Sequence, residues 1–148
     1  MSTEPIVKTV RVKLPPKAAF DLFTSRMTTW WPLGINSVSA GQGAKAQSLT
    51  LEPKLGGELV EIGHDGTRHV WGHVQVWEPG RSVAMTWHPG QTPDSQTRVQ
   101  VDFQADGDGT KVTLVHSGWE AIGEGGPKAR GSYNEGWNGV LAAYSAAG

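Results

Sequence analysis

From Ile6 to Leu14 the apolar residues stand at Ile6, Val10, Val12 and Leu14, with Lys8, Arg11 and Lys13 between most of them, a period-two pattern broken only around Val7. This predicts a half-buried strand. Pro15 and Pro16 end the pattern and preset the φ of a first helical turn, and KAAFDLF follows with good helix formers and Phe20 and Phe23 three apart. A short helix is expected there. TSRMTTWWP carries Ser and Thr at capping distance and runs into Pro32, so a second short helix should place Trp30 and Trp31 at its C-terminal end. The stretch from Gly34 to Ser48 is rich in Gly, Ser and Ala and reads as a flexible surface loop.

The middle of the chain changes period. SLTLEP, GGELVEIG, RHVWGHVQVWEPG, RSVAMTWHPG and TRVQVDFQADGDGTKVTLVHSGW are short alternating runs punctuated by Gly, Pro and Asp-Gly turns, and they hold six strands. Short turns make neighbouring strands antiparallel, with one apolar and one polar face. The apolar face takes Val83, Met85 and Trp87, then Val99, Val101 and Phe103, then Val112, Leu114 and His116. From about Lys128 to Ala147 the period becomes helical, and Tyr133, Trp137, Val140, Leu141 and Tyr144 draw one apolar stripe. A strand, two small helices, six strands and a long amphipathic helix predict an α+β domain, the last helix lying across the concave face of a curved antiparallel sheet.

Length and composition narrow the class. At 148 residues the chain, 1–148, is expected to be one domain. Such a domain buries roughly 70% of its unfolded surface and has room for a cavity. Without cysteine it has no disulfide, thiolate metal site or cysteine nucleophile. A net charge of -1 is the opposite of a nucleic-acid footprint. MSTEPIVKTVRVK has no apolar signal core and no window approaches a membrane span, so a cytoplasmic location without nucleic-acid or membrane partners is expected. The unexplained feature is the aromatic balance, seven Trp against three Phe and two Tyr.

Metal chemistry has weak support. His69 and His73 are spaced for zinc on a helix, but on a strand four residues span about 13 Å, too far for ligands about 2 Å from one ion. DGDG at 106–109 lacks the later ligand positions of a calcium loop and reads as a hairpin turn. Phosphate-binding and nucleophile-elbow motifs are missing, and no cofactor is expected. His116, in register with core residues, is the more interesting group. In ELVEI either the Leu59/Glu61 face or the Glu58/Val60/Ile62 face looks inward. With Glu61 inward, the two would form an acid/base couple in a cavity. The competing reading is structural, a buried His satisfied by a backbone carbonyl and a solvated Glu.

The tryptophans divide similarly. Trp71, Trp77 and Trp87 suit a packed sheet. Adjacent Trp30 and Trp31 cannot both face one core from a short helix, which places at least one at a cleft mouth. Trp137, in the middle of the last stripe, should point into the sheet's concavity.

FDLFT, TTWWP, LEPKLGGELVE, WGHVQVWEPGRSVAMTW, GDGTKVTLVHSGW and GWNGVLAAY, in that order over nearly the whole chain, resemble the activator-of-heat-shock-protein-90-ATPase-homologue-like branch of the SRPBCC, or START-like, superfamily. The resemblance implies the helix-grip, birch-pollen-allergen-like fold, with a curved sheet wrapped around the C-terminal helix and a hydrophobic cavity between them. It also implies cavity-lining roles for Trp30, Trp31, Trp87, His116 and Trp137, and no catalytic residue. The leading reading is a binder of a small hydrophobic or aromatic molecule, its wall drawn from Trp30, Trp31, Glu61, Met85, Trp87, Phe103, Leu114, His116, Tyr133 and Trp137. The enzymatic alternative is a cyclase- or hydrolase-like activity using the same His and Glu. A third reading is a co-chaperone module contacting a heat-shock ATPase. Apolar sheet edges leave room for a homodimer without demanding one.

Overall fold

The computed structural model describes residues 3–92, 94 and 96–148. Strand β1 (Ile6–Val12) is followed by helices α1 (Pro16–Ser25) and α2 (Met27–Trp30), then by strands β2 (Ser48–Leu51), β3 (Glu58–Ile62), β4 (Arg68–Glu78), β5 (Ser82–Trp87), β6 (Thr97–Asp106) and β7 (Gly109–Ser117). A 3-10 segment, Trp119–Gly125, leads into the long helix α3 (Gly126–Ala147). The strands form one antiparallel sheet in the order β1-β7-β6-β5-β4-β3-β2, so six of them run as a meander and β1 adds to the end strand β7. The seven expected strands and the amphipathic last helix are all present.

The turns follow from their residues. Gly80, at φ 77, takes the left-handed position after Pro79 and joins β4 to β5, where the Arg81 amide donates to the Glu78 carbonyl at 2.9 Å. DGDG closes the β6–β7 hairpin, and Arg11 binds its Asp106 and Asp108.

Two irregularities on β4 curl the sheet. Opposite β3 the pairing steps from Leu59 with Gly72 to Val60 with Val70, leaving Trp71 as an extra residue; opposite β5 it steps past Gln75 in the same way. A bulge increases twist and re-aims the side chain it carries. Next to it, a Cβ on Gly72 would lie 1.7 Å from the Thr86 carbonyl oxygen, so only glycine lets the strands approach there.

Val83, Met85, Trp87, Val99, Val101, Phe103, Val112, Leu114 and His116 are all buried on the concave face, as the alternation predicts. Across it lies α3, burying Trp137, Val140, Leu141 and Tyr144, with Tyr133 half-buried. The Tyr144 hydroxyl donates to the Ala19 carbonyl at 2.7 Å, tying α3 to α1, and burial pushes this phenol up.

Three local expectations change. The second helix is only Met27–Trp30, its N-cap is Arg26, and no Ser or Thr side chain caps it. Trp30 and Trp31 are both buried, at 6% and 5% exposure, because Trp31 leaves the helix with extended backbone, and their rings pack against each other with centroids 5.6 Å apart. The Gly34–Ser48 stretch is not a free surface loop, since Ser39 and Ala46 are buried in it and it roofs one end of the sheet.

Candidate functional site

Trp31 at the end of α2, Trp71 on the β4 bulge, Trp87 at the end of β5 and Trp137 on α3 meet ring to ring. Their centroids lie 5.5 Å (31–71), 5.3 Å (71–87), 5.4 Å (87–137) and 5.9 Å (137–31) apart, a closed circuit of four indoles. Beside it is a cavity of about 400 Å³, within the range of small-molecule sites. Its remaining wall comes from the 35–38 stretch of the roof loop, from Pro89 and Gly90 after β5, and from Tyr133, Gly136 and Val140 of α3. None of the described residues lining it is charged.

Each indole has one N–H to satisfy. Trp31 donates to the Asn36 carbonyl at 2.6 Å, Trp71 to Glu61 at 3.1 Å and Trp137 to His116 Nδ1 at 3.0 Å. The fourth N–H, that of Trp87, is buried and makes no hydrogen bond of ordinary geometry, lying only loosely against the Tyr133 phenol. A buried donor left unpaired costs about 1–3 kcal/mol. Burial raises the Tyr133 phenol, and the Trp87 indole beside it offsets part of that rise.

His116 is fully buried and fully used. Trp137 can only donate, so His116 Nδ1 is an unprotonated acceptor and Nε2 carries the hydrogen. That hydrogen goes to Thr97 Oγ1 at 2.6 Å, and the Thr97 hydroxyl donates on to the Trp87 carbonyl at 3.1 Å. Desolvation pushes the imidazole down to about 3, keeping it neutral.

Glu61 does point inward, on the face of Leu59, yet it never meets His116. Its carboxylate accepts the amides of Val38 at 2.8 Å and Ser39 at 3.0 Å as well as the Trp71 indole. The acid/base couple is therefore replaced by two separate structural roles. Glu61 pins the roof loop to the sheet, and His116 fixes the ring plane of Trp137.

Of the other sequence candidates, Trp31, Trp87, Tyr133 and Trp137 line the cavity. Trp30, Met85, Phe103 and Leu114 are buried in the core behind it. Sequence reasoning missed two features. From sequence Trp71 reads as a packing residue, and only the bulge turns it into the cavity wall; the Gly72 beside it is the available signal. His88, in what looks like an exposed His-Pro-Gly turn, is buried at 6% exposure.

A strongly curled antiparallel sheet closed over a long C-terminal helix, with an aromatic cavity between them, defines the helix-grip, START-like class. Residues 13–145 match the family described as Activator of Hsp90 ATPase homolog 1-like protein, and the chain belongs to that family. Txn09, an anthrahydroquino-γ-pyrone synthase solved as a complex, is 30% identical, with 98% of each chain covered and a TM-score of 0.65. The Aha1 dimer from Colwellia psychrerythraea is 14% identical over 96% of this chain and 93% of its own, at a TM-score of 0.67. CalU16 from Micromonospora echinospora is 17% identical over 95% of this chain and 71% of its own, at a TM-score of 0.63. The last two likenesses show the fold. No curated protein matches by sequence. Among the described residues no helix is long and apolar enough to cross a membrane, and no cluster of three or more potential metal ligands occurs.

Proposed function

We propose that this protein binds a small, uncharged, flat aromatic molecule in the four-tryptophan cavity. The observation that carries the reading is the indole circuit walling a cavity of about 400 Å³ that has no charged lining residue, with one N–H, at Trp87, lacking a well-formed hydrogen bond. Indole faces and edges favour aromatic guests. The absence of charge disfavours an ionised ligand, whose desolvation nothing would offset. The Trp87 donor, held only loosely by the Tyr133 phenol, suits a carbonyl or quinone oxygen, and a well-formed hydrogen bond there offsets the cost of burying the N–H. Txn09, 30% identical over nearly its whole length, is named for a synthase of a fused aromatic pyrone, which supports a polycyclic guest here.

The same relative is an enzyme, so a cyclase-like reaction on the bound ligand is the second reading. The His116–Glu61 acid/base pair does not support it, because both side chains are consumed by structural hydrogen bonds.

Titration with 9,10-anthraquinone, read by quenching of intrinsic tryptophan fluorescence, tests the proposal. Saturable one-to-one quenching with a dissociation constant in the micromolar range, about -8 kcal/mol, is expected. Gly136→Leu places a side chain in the cavity from a helical position where an added Cβ meets only Asn36 Nδ2, at 3.6 Å. It should weaken binding at least tenfold without lowering the melting temperature. Quenching that never saturates, or that Gly136→Leu leaves unchanged, would sink the reading.

A further inference from the structure

Among the described residues, only two buried side-chain nitrogen or oxygen atoms make no hydrogen bond of ordinary geometry, Trp87 Nε1 and His88 Nε2. They are consecutive in sequence. Trp87 closes β5, and the chain leaves the strand at the next residue, so the two-residue alternation lapses and both side chains turn inward. They also flank one partition. A second cavity of about 260 Å³ lies under the 88–91 turn, and it shares Trp87, Pro89 and Tyr133 with the cavity already described.

The state of His88 follows from its other nitrogen. Nδ1 lies 3.2 Å from the Gln91 carbonyl oxygen, which can only accept, so Nδ1 carries the hydrogen. In the neutral ring Nε2 then holds a lone pair, a buried acceptor. Two other polar side chains of this compartment are already engaged. Thr97 Oγ1 is bonded to His116 and to the Trp87 carbonyl, and the Trp119 indole donates to the His116 carbonyl at 3.0 Å. In the rest of the lining Ile122 and Ala129 are apolar, Gln91 and Tyr133 each bring a polar group at the rim shared with the turn and the larger cavity, and no acidic side chain is present to balance a cationic donor.

We propose that the second cavity is a hydroxyl-recognising compartment of the same ligand site, in which His88 Nε2 accepts a hydrogen bond from an uncharged hydroxyl on the aromatic guest. This rests on the ligand-binding reading of the first cavity and narrows its chemistry. The guest is a polycyclic aromatic with a carbonyl-type acceptor for Trp87 and, projecting past Tyr133, a hydroxyl donor for His88. An ether or a carboxylate in place of the hydroxyl has no hydrogen to give, and leaves His88 as unsatisfied as in the empty protein.

The test uses three probes on the full chain near neutral pH: 9,10-anthraquinone, 2-(hydroxymethyl)anthraquinone and the methyl ether of that alcohol. The alcohol should bind the unaltered protein roughly tenfold tighter than the ether, equivalent to about 1.4 kcal/mol. His88→Leu should erase that difference by weakening the alcohol alone. Ala129→Leu, which fills the second cavity without touching His88, should reduce both derivatives to the affinity of anthraquinone or below, and it decides the matter if His88→Leu does not fold. Equal affinity for alcohol and ether in the unaltered protein, or a preference that survives His88→Leu, overturns the assignment while anthraquinone binding leaves the larger cavity's role standing. If anthraquinone itself does not bind, both proposals fall together.

Discussion

At one end of the sheet's concave face Phe20, Phe23, Trp30, Phe103 and Tyr144 pack with ring centroids 5.1–6.1 Å apart, and none of the five lines either cavity. At the other end Trp31, Trp71, Trp87 and Trp137 stand at nearly the same separations, 5.3–6.1 Å, and form one wall of a cavity. Aromatic content therefore does not decide which end is hollow. The roof does. Over the filled end lies α1, whose Ala19, Phe20 and Phe23 drop apolar side chains into the gap. Over the hollow end lies an irregular loop whose amides need partners of their own, and two of them, at Val38 and Ser39, are tied to the buried Glu61 carboxylate at the cavity's edge instead of a helix filling the gap.

The comparison predicts opposite responses to truncation. Phe23→Ala removes a ring that touches Trp30, Phe103 and Tyr144, and chemical denaturation should show a loss of about 3–5 kcal/mol. A loss below about 1 kcal/mol would mean that the filled end is also loosely packed. At the hollow end the corresponding weak point is polar. Glu61→Gln replaces a carboxylate that accepts three N–H groups by an amide with one acceptor oxygen, and should cost about 1.5–3 kcal/mol. Amide hydrogen exchange at Val38 and Ser39 should quicken selectively, whereas exchange spread evenly over the sheet would contradict the role of Glu61 as the pin of the roof.

The two ends were not equally legible from sequence. The inward faces of β5, β6 and β7 and the stripe of α3 follow from repeats sustained over many residues, and each of those positions is buried as read except Tyr133, which is half-buried at the cavity. The hollow end depends on events one residue long. Trp71 faces the cavity only because β3 and β4 slip register there, a choice made between two strands that neither run discloses alone. Trp31 turns in because the helix stops one residue before it. Likewise, whether Glu61 met His116 or the roof loop depended on where a Gly- and Ser-rich segment folded back, and that segment has no periodicity to read.

The buried histidines sharpen the contrast between satisfied and unsatisfied walls. His116 has both nitrogens bonded and is held down to about 3 by desolvation, against an unfolded value near 6.5. The unfolded chain therefore binds a proton in a range where the folded chain does not. This contribution to stability is complete above about pH 6.5 and is lost as pH falls toward 3. Between pH 7 and pH 5 it amounts to about 2 kcal/mol. His116→Gln keeps an acceptor for Trp137 and a donor for Thr97 but does not titrate. Urea titrations at the two pH values should show a smaller acid destabilisation in the variant by that amount, and equal losses in both proteins would exclude His116 as the source.

The smallest effect concerns spare room. In the filled end an added methyl group has nowhere to go, whereas Gly136 faces the hollow end from the interior of α3, and a Cβ built there meets only Asn36 Nδ2 at an ordinary 3.6 Å. Replacing glycine by alanine inside a helix gains up to about 1 kcal/mol from backbone entropy. Gly136→Ala should therefore raise stability by a few tenths to about 1 kcal/mol while trimming the cavity by one methyl group and weakening anthraquinone slightly. A stabilised variant whose ligand affinity declines would show that this glycine keeps space open at the expense of helix stability. Destabilisation would instead mean that the roof loop already rests on the helix at Gly136, and that the hollow end closes more tightly than its indole circuit implies.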